Sequence, residues 1–451
     1  MCKKCKTHNY KIVKTIFVSG VAALVIAGCE RLPTGSIMPA TTTESPITTE
    51  MPRVIDASLP APTQQLACAE LQANQVVTIS GHTQLAKSCD LATKGVQFLL
   101  NSSETSLDCN GALLGPTEAT ANKTAITIKP KNDAAIANIA VANCHVQGYG
   151  HAVNIRQKTN PNVRYSKGLS DPAANRALAP RDIRIVNVSS EGSNNSGIFV
   201  GDHVQRVTFD KLRVARAGTV GLYLEFGSQH NTIQNSVFVD NGFRSFKPNR
   251  EAIAVDSSSF NTIQNNQFIH NGAGSVLLYR NCFEHADDPS QSNHFKRTES
   301  ARNNIIKDNT FRDEPVGVWV ASRQSRNLKG FACGAYPLAE TLLASYHIDS
   351  AKDNQILGNT FIQVDTGIIV EDDGTQIINN DFTQAGNIAI KIGSEIREKY
   401  ADTSKGVLAA IQHTQIRNNR LAANKPLAQQ IQISTPSQAT TVLMDNKSSS
   451  H

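Results

Sequence analysis

A helical period is missing from this chain. No stretch of useful length repeats apolar residues every 3.6 positions, so helices that could cross over between parallel strands are not expected. A C-x-x-C pair is absent beyond residue 28, which argues against a thiolate metal site. A basic surplus is lacking too. There are 44 Lys and Arg against 38 Asp and Glu, but five of the Lys lie in the first 28 residues, which hold no acid, and 44 − 5 leaves 39 against 38. A body this close to neutral has no electrostatic support for general nucleic-acid binding. No Ser-His-Asp triad, phosphate loop or dinucleotide fingerprint stands out, and tryptophan occurs once, at Trp319.

What is present is a repeat. Asn231-Thr-Ile-Gln-Asn-Ser-Val-Phe238 returns as Asn261-Thr-Ile-Gln-Asn-Asn-Gln-Phe268, and in degenerate form at 304–311, 354–361, 375–382 and 414–421. Apolar residues hold its third and eighth positions, and Asn or Asp stands near the sixth. Each octet is followed by a short Val- and Ile-rich pentapeptide: Gly221–Glu225, Ala252–Asp256, Ser275–Tyr279, Gly317–Ala321, Gly367–Glu371 and Ala389–Gly393, with Ala152–Arg156 and Gly197–Gly201 in the same frame earlier. These alternate in type, as strands do. The octets end at 212, 238, 268, 311, 361, 382 and 421, so that 382 − 361 = 21 and 238 − 212 = 26 bracket one coil. Parallel strands without crossover helices imply a stacked-coil solenoid, and a coil of this length exceeds the roughly eighteen residues of a left-handed hexapeptide helix. The Asn column predicts turn ladders, because Asn tolerates left-handed backbone and can bond from coil to coil. The Phe column predicts a core stack.

In these features the chain resembles the right-handed parallel β-helix superfamily that includes pectate lyases and related polysaccharide enzymes. The resemblance implies an all-β solenoid with an N-terminal cap and with loop insertions along one side. The expected organisation is a signal peptide over 1–28, a Thr- and Pro-rich tether over 29–64, a cap and first coil over 65–104, the β-helix over 105–436 and an unstructured tail over 437–451. A short amphipathic helix over Pro62–Gln72 would form the cap.

The first residues carry Lys3, Lys4, Lys6, Lys11 and Lys14 and then an apolar run from Ile16 to Ala27, the layout of a secretory signal. The run ends in Ile26-Ala-Gly-Cys29, which resembles the bacterial lipobox and implies lipid on Cys29. Glu30 rather than Asp at the next position points to the outer membrane, with the lipid as the sole membrane attachment. Six Cys remain beyond the anchor: Cys68, Cys89, Cys109, Cys144, Cys282 and Cys333. They allow fifteen connectivities. Sequential pairing, Cys68–Cys89, Cys109–Cys144 and Cys282–Cys333, is expected because the last two both sit in insertions and the others lie near the N-terminal cap.

Insertions run from Lys158 to Arg181, Cys282 to Asn303, Gln324 to Asp353 and Ser394 to about 410, all after the pentapeptide strand, and Phe243–Arg250 enters that strand from its other end. In a solenoid they line one side and commonly build the binding face. With the second and fourth pentapeptide residues inward, the third and fifth point outward. The third-position column is Asn154, Phe199, Tyr223, Ala254, Leu277, Trp319, Ile369 and Lys391. The fifth is Arg156, Gly201, Glu225, Asp256, Tyr279, Ala321, Glu371 and Gly393. Stacked carboxylates repel, so Glu225 beside Asp256 calls for a cation, a shared proton, or Arg neighbours such as Arg250 and Arg280. Calcium is the candidate cation, and no other cofactor is called for.

The site expected from these columns has Tyr279 or His285 as base, and Arg280, Arg323 or Arg250 as neutraliser, or a cation on Glu225 and Asp256. Tyr223, Trp319, Asn281, Arg326 and Glu371 would contact substrate. An acidic polysaccharide fits this set, because a lyase or a C5-epimerase removes the proton α to a uronate carboxyl and needs both a base and a neutraliser. A glycan-binding or assembly-accessory protein without catalysis is the alternative. A glycoside hydrolase using Glu225 and Asp256 as paired carboxylates is a second one. Glu371-Asp-Asp-Gly374 resembles the carboxylate clusters of β-helix hydrolases but lacks their accompanying elements. The loop His285-Ala-Asp-Asp-Pro-Ser-Gln-Ser-Asn-His294 offers ligand types without a distinctive spacing.

Overall fold

The computed structural model describes residues 59–87, 89–159, 171–281, 299–323 and 350–448. Among these residues three long parallel sheets, of 13, 12 and 12 strands, run side by side, and successive coils contribute to them in turn. The front half of the octet lies in the first sheet, as Thr232–Gln234 paired with Thr262–Gln264. The back half lies in the second, as Val237–Val239 paired with Gln267–Ile269. The pentapeptides form the third, which carries the site.

The octet builds its corner by backbone conformation. Its fifth residue is left-handed in Asn235, Asn265, Asp308, Asn379 and Asn418, at φ between 51° and 58°, a region that Asn and Asp enter at low cost. The sixth residue then faces inward and forms a ladder. Asn309 Oδ1 accepts from both the backbone N–H and Nδ2 of Asn266, Asn359 does the same for Asn309, and Asn380 and Asn419 continue the run. A parallel ladder joins Asn231, Asn261, Asn304 and Asn354. A third runs from Asn241 to Asn271 and ends on the buried Glu314. Burial raises the Glu314 carboxyl well above its usual range. Each Asn thus satisfies corner amides that water cannot reach. Beside the ladders, Phe238, Phe268, Phe311, Phe361 and Phe382 stack at centroid spacings of 5.2, 5.0, 4.9 and 4.5 Å. The expected turn ladder and core stack are both present.

The ends differ from expectation. Gln64–Leu66 is not helical but pairs in parallel with Thr83–Leu85, followed only by a 3-10 turn over Cys68–Glu70. At the other end Thr441–Met444 and Lys447–Ser448 add strands to two of the sheets, where a tail was expected. In both places a solenoid edge offers unpaired amides and carbonyls, and an adjacent segment satisfies them by becoming the next strand. Disulfides join Cys68 to Cys89 and Cys109 to Cys144, the sequential pairs; Cys282 and Cys333 lie outside the described residues, as does Cys29. Among the described residues no helix is long and apolar enough to cross a membrane.

Candidate functional site

The third sheet has the expected register. Asn154 pairs with Phe199, Phe199 with Tyr223, Tyr223 with Ala254, Ala254 with Leu277, Leu277 with Trp319, Trp319 with Ile369 and Ile369 with Lys391. Residues of this column face away from the solenoid core, yet the middle of the column is not open. Val220, Tyr223, Ala254, Leu277 and Tyr279 form a small apolar cluster of their own, flanked by Phe199 and Trp319.

Polar groups are locked around that cluster. Asp256 is fully buried. It accepts from Tyr223 Oη at 2.6 Å, Ser257 Oγ at 2.9 Å and the Asn281 backbone at 3.1 Å. Glu251, also fully buried, takes Arg250 in a two-point grip, Nε to Oε2 at 3.1 Å and Nη2 to Oε1 at 3.0 Å. Tyr279 Oη accepts from Arg250 Nη2 at 3.0 Å and donates to Glu251 Oε1 at 3.2 Å. The Arg323 guanidinium lies 5.1 Å from the Tyr279 ring centre, and that of Arg250 lies 5.7 Å from the Tyr223 ring. Burial raises both phenols, Tyr223 with added repulsion from Asp256 and Tyr279 with added repulsion from Glu251. Burial works against the two guanidinium charges, but the Tyr and carboxylate neighbours outweigh it and hold both cations firmly protonated.

Four expected site residues are therefore closed off. Tyr279 is outward but has no exposed surface, and its hydroxyl is engaged with an acid and a cation. Asp256 accepts three hydrogen bonds and has no exposed surface, so it presents no oxygen to a calcium ion or a sugar carbon. Arg323 and Asn281 are buried as well. Among the described residues, no group of three or more His, Cys, Asp or Glu is placed to hold a metal, and the calcium expectation finds no matching donor set there. Arg280 is half-buried, with its backbone N–H on Ser350 Oγ. His285 and Arg326 lie outside the described residues.

What remains open is a cavity of about 380 Å³ lined by His151, Asn154, Asn195, Ser196, Phe199, Thr219, Tyr223, Glu225 and Arg250. Phe199 stacks on Tyr223 at 5.5 Å, and His151 tilts against Phe199 at 5.9 Å. His151 Nδ1 lies 2.8 Å from the Ser196 carbonyl. A carbonyl can only accept, so Nδ1 carries the proton and Nε2 the lone pair. Burial, with the charge of Arg156, lowers the His151 pKa, so the ring is neutral near pH 7. The Asn154 Oδ1 atom has no hydrogen-bond partner among the described residues. Arg250 commits Nε and Nη2 but not Nη1 to these bonds. Glu225 accepts from the Phe226 backbone at 3.0 Å.

His151 was not picked out from the sequence, although a signal existed. It immediately precedes its pentapeptide, as Glu251 precedes Ala252, and both positions depart from the small or apolar residues found there in other coils. Farther along the sheet, Trp319 Nε1 donates to Glu371 Oε2 at 3.0 Å. The Asp372–Asp373 turn beside Glu371 is structural. Asp372 accepts from the Ser350 and Ala351 amides, and Asp373 takes Arg397 in a two-point grip.

Residues 124–287 match the family model described as a right handed beta helix region. None of the curated proteins compared with the chain matches it. Among solved structures, the chain is similar to the mannuronan C-5 epimerase A-module of Azotobacter vinelandii, at 14% identity over 82% of this chain and 85% of that one, with a TM-score of 0.43. It is similar to the bacteriophage phi29 gene product 12, at 13% identity over 83% and 49%, TM-score 0.44, and to an alginate lyase from Paenibacillus, at 13% identity over 66% and 98%, TM-score 0.36. By its three parallel sheets, its coil register and the family model that matches its central part, the chain is a right-handed parallel β-helix.

Proposed function

We propose that the cavity over Phe199 and Tyr223 binds a uronate-containing polysaccharide and that His151 removes the proton α to the uronate carboxyl, in a lyase or C5-epimerase reaction. The observation that carries this reading is the meeting, in one cavity, of a neutral imidazole, a guanidinium with Nη1 uncommitted, and a stacked aromatic pair. The aromatic faces suit the C–H face of a sugar ring. Arg250 would pair with the carboxyl and stabilise the enolate-like charge that forms when the proton leaves. Asn154 Oδ1 would accept from a sugar hydroxyl. His151 Nε2 would take the proton. Tyr223, whose hydrogen is held by Asp256, would serve as a floor for the sugar ring. The proton would be returned by solvent to the opposite face of the same carbon, giving epimerisation, or by the His151 imidazolium to the departing glycosidic oxygen, giving elimination.

A hydrolase reading is less well supported, because Asp256 is buried and fully engaged and cannot act with Glu225 as a working pair. A non-catalytic glycan binder is favoured by one observation, the sealing of Tyr279 and Asp256. The same experiment separates them: incubate the chain with a panel of uronate polysaccharides, following ultraviolet absorbance of unsaturated product and NMR of C5 configuration. Silence in both with retained glycan binding would sink the enzyme reading. Activity retained in His151→Ala would overturn the base assignment.

A further inference from the structure

A second cavity, of about 470 Å³, opens on the same sheet. Its floor is the column Trp319, Ile369, Lys391 and Gln432, consecutive in register. Tyr223 lies three strands before Trp319, or about 14 Å at the usual strand spacing, so the two cavities are separate places on one face. The wall is the short helix Glu395–Lys399, which supplies Glu395 and Glu398. That wall is held rigidly. Arg397, 1% exposed, grips Asp373 with two nitrogens and donates Nε to the Leu408 carbonyl at 2.8 Å. The indole is held as well, by its bond to Glu371, which is 5% exposed.

Carboxylates alone would make a solvated face. Here they border a half-open cavity with a fixed, half-buried indole on its floor. The lining carries three carboxylates, Glu371, Glu395 and Glu398, against one ammonium, Lys391. An indole face and a surplus of negative charge both attract cations, and the same charges repel a uronate. We propose that this cavity is a binding site for a cationic sugar unit, one that carries a free amino group. The ring would lie on Trp319 with its ammonium towards Glu395 and Glu398. This does not rest on the reaction proposed for the first cavity.

Because Trp319 is the single tryptophan of the chain, intrinsic tryptophan emission reports this cavity alone. The full chain would be titrated with glucosamine oligosaccharides, with their N-acetylated counterparts of equal length, and with hexuronate oligomers. The expected result is a saturable emission change with the amine-bearing oligomer, weakened about tenfold or more by N-acetylation. Glu395→Gln and Glu398→Gln each weaken it measurably, while Tyr223→Phe in the first cavity leaves it unchanged. Calorimetry on Trp319→Phe, which still folds around an aromatic ring, should show the same loss of affinity. An equal response to the N-acetylated or hexuronate oligomers, or no response to any of the three, overturns the proposal.

Discussion

Tyr223 donates its phenolic hydrogen to Asp256 Oδ2 across 2.6 Å, linking adjacent strands of the site sheet from the edge of the open cavity to a fully buried carboxylate. Removing the hydroxyl in Tyr223→Phe takes one of these bonds from Asp256, which keeps those from Ser257 and the Asn281 amide. Hydrogen bonds to charged groups contribute about 1.5–3 kcal/mol, and a loss of that size is expected in denaturant unfolding. With its hydrogen held by Asp256, the hydroxyl takes no part in proton transfer, so turnover should fall no more than glycan affinity does; a selective loss of turnover would place the hydroxyl in the mechanism.

Arg250, partly exposed in the cavity, and the fully buried Glu251 form an ion pair in which one partner neutralises the other. Arg250→Gln removes the cation beside the buried Glu251 carboxylate, which keeps the bond from Tyr279, and should cost about 3–5 kcal/mol, whereas the double replacement with Glu251→Gln should recover much of that. A double-mutant cycle on unfolding free energy checks this. Arg250→Lys keeps the charge but not the two-point grip, and is expected to raise KM for a uronate substrate.

Stability should respond to pH through Asp372. Burial, and next to it Asp373, raise its carboxyl to about 7, above the free value of about 3.9. The folded state therefore holds this proton more tightly than the unfolded state does. The contribution is fully present below about pH 4 and is lost as pH rises through about 7. Asp372→Asn keeps an acceptor for the Ser350 and Ala351 amides but does not titrate. Melting curves of both proteins at acid and alkaline pH should show a shallower slope in the variant; identical slopes would assign the pH dependence elsewhere.

Two phenylalanines should behave in opposite ways. Phe311 is fully buried between Phe268 and Phe361, so Phe311→Ala should cost about 3–5 kcal/mol. Phe246 is 99% exposed with φ of 61°, at the tip of the hairpin formed by Phe243–Arg244 and Lys247–Pro248. Left-handed backbone costs a side-chain-bearing residue about 1–2 kcal/mol, so Phe246→Gly should leave stability unchanged or raise it slightly. Destabilisation by Phe246→Gly would mean that the ring has a packing role.

The lipobox-like ending at Cys29 leads to a test in cells. Labelled fatty acid should enter the full-length protein, and Cys29→Ser should abolish the incorporation while leaving the β-helix folded. Equal labelling of the variant would place any lipid elsewhere.

Much of the architecture was readable beforehand for a simple reason. In a stacked-coil protein the neighbours of a residue stand at the same position of the preceding and following repeats. The left-handed Asn235, the ladder from Asn266 to Asn309 and the pairing of Leu277 with Trp319 all follow from aligning the chain with itself. The ends are not legible in this way because edge strands such as Gln64–Leu66 and Thr441–Met444 depart from the octet. They are recruited by the unpaired amides of the coil beside them rather than by their own pattern.

Sequence alone thus determined the solenoid, its coil length and the column from Asn154 to Lys391, because these depend on local conformation and on a periodic core. Only the tertiary structure decided which members of that column are open. Tyr279 and Asp256 face outward as their positions require, but Arg250, Arg323 and Asn281, brought in from other turns and insertions, close over them and occupy their hydrogen bonds. His151, on a strand two coils before Tyr223, is left beside the free volume instead. Direction is a property of the strand; exposure is a property of everything that packs against it.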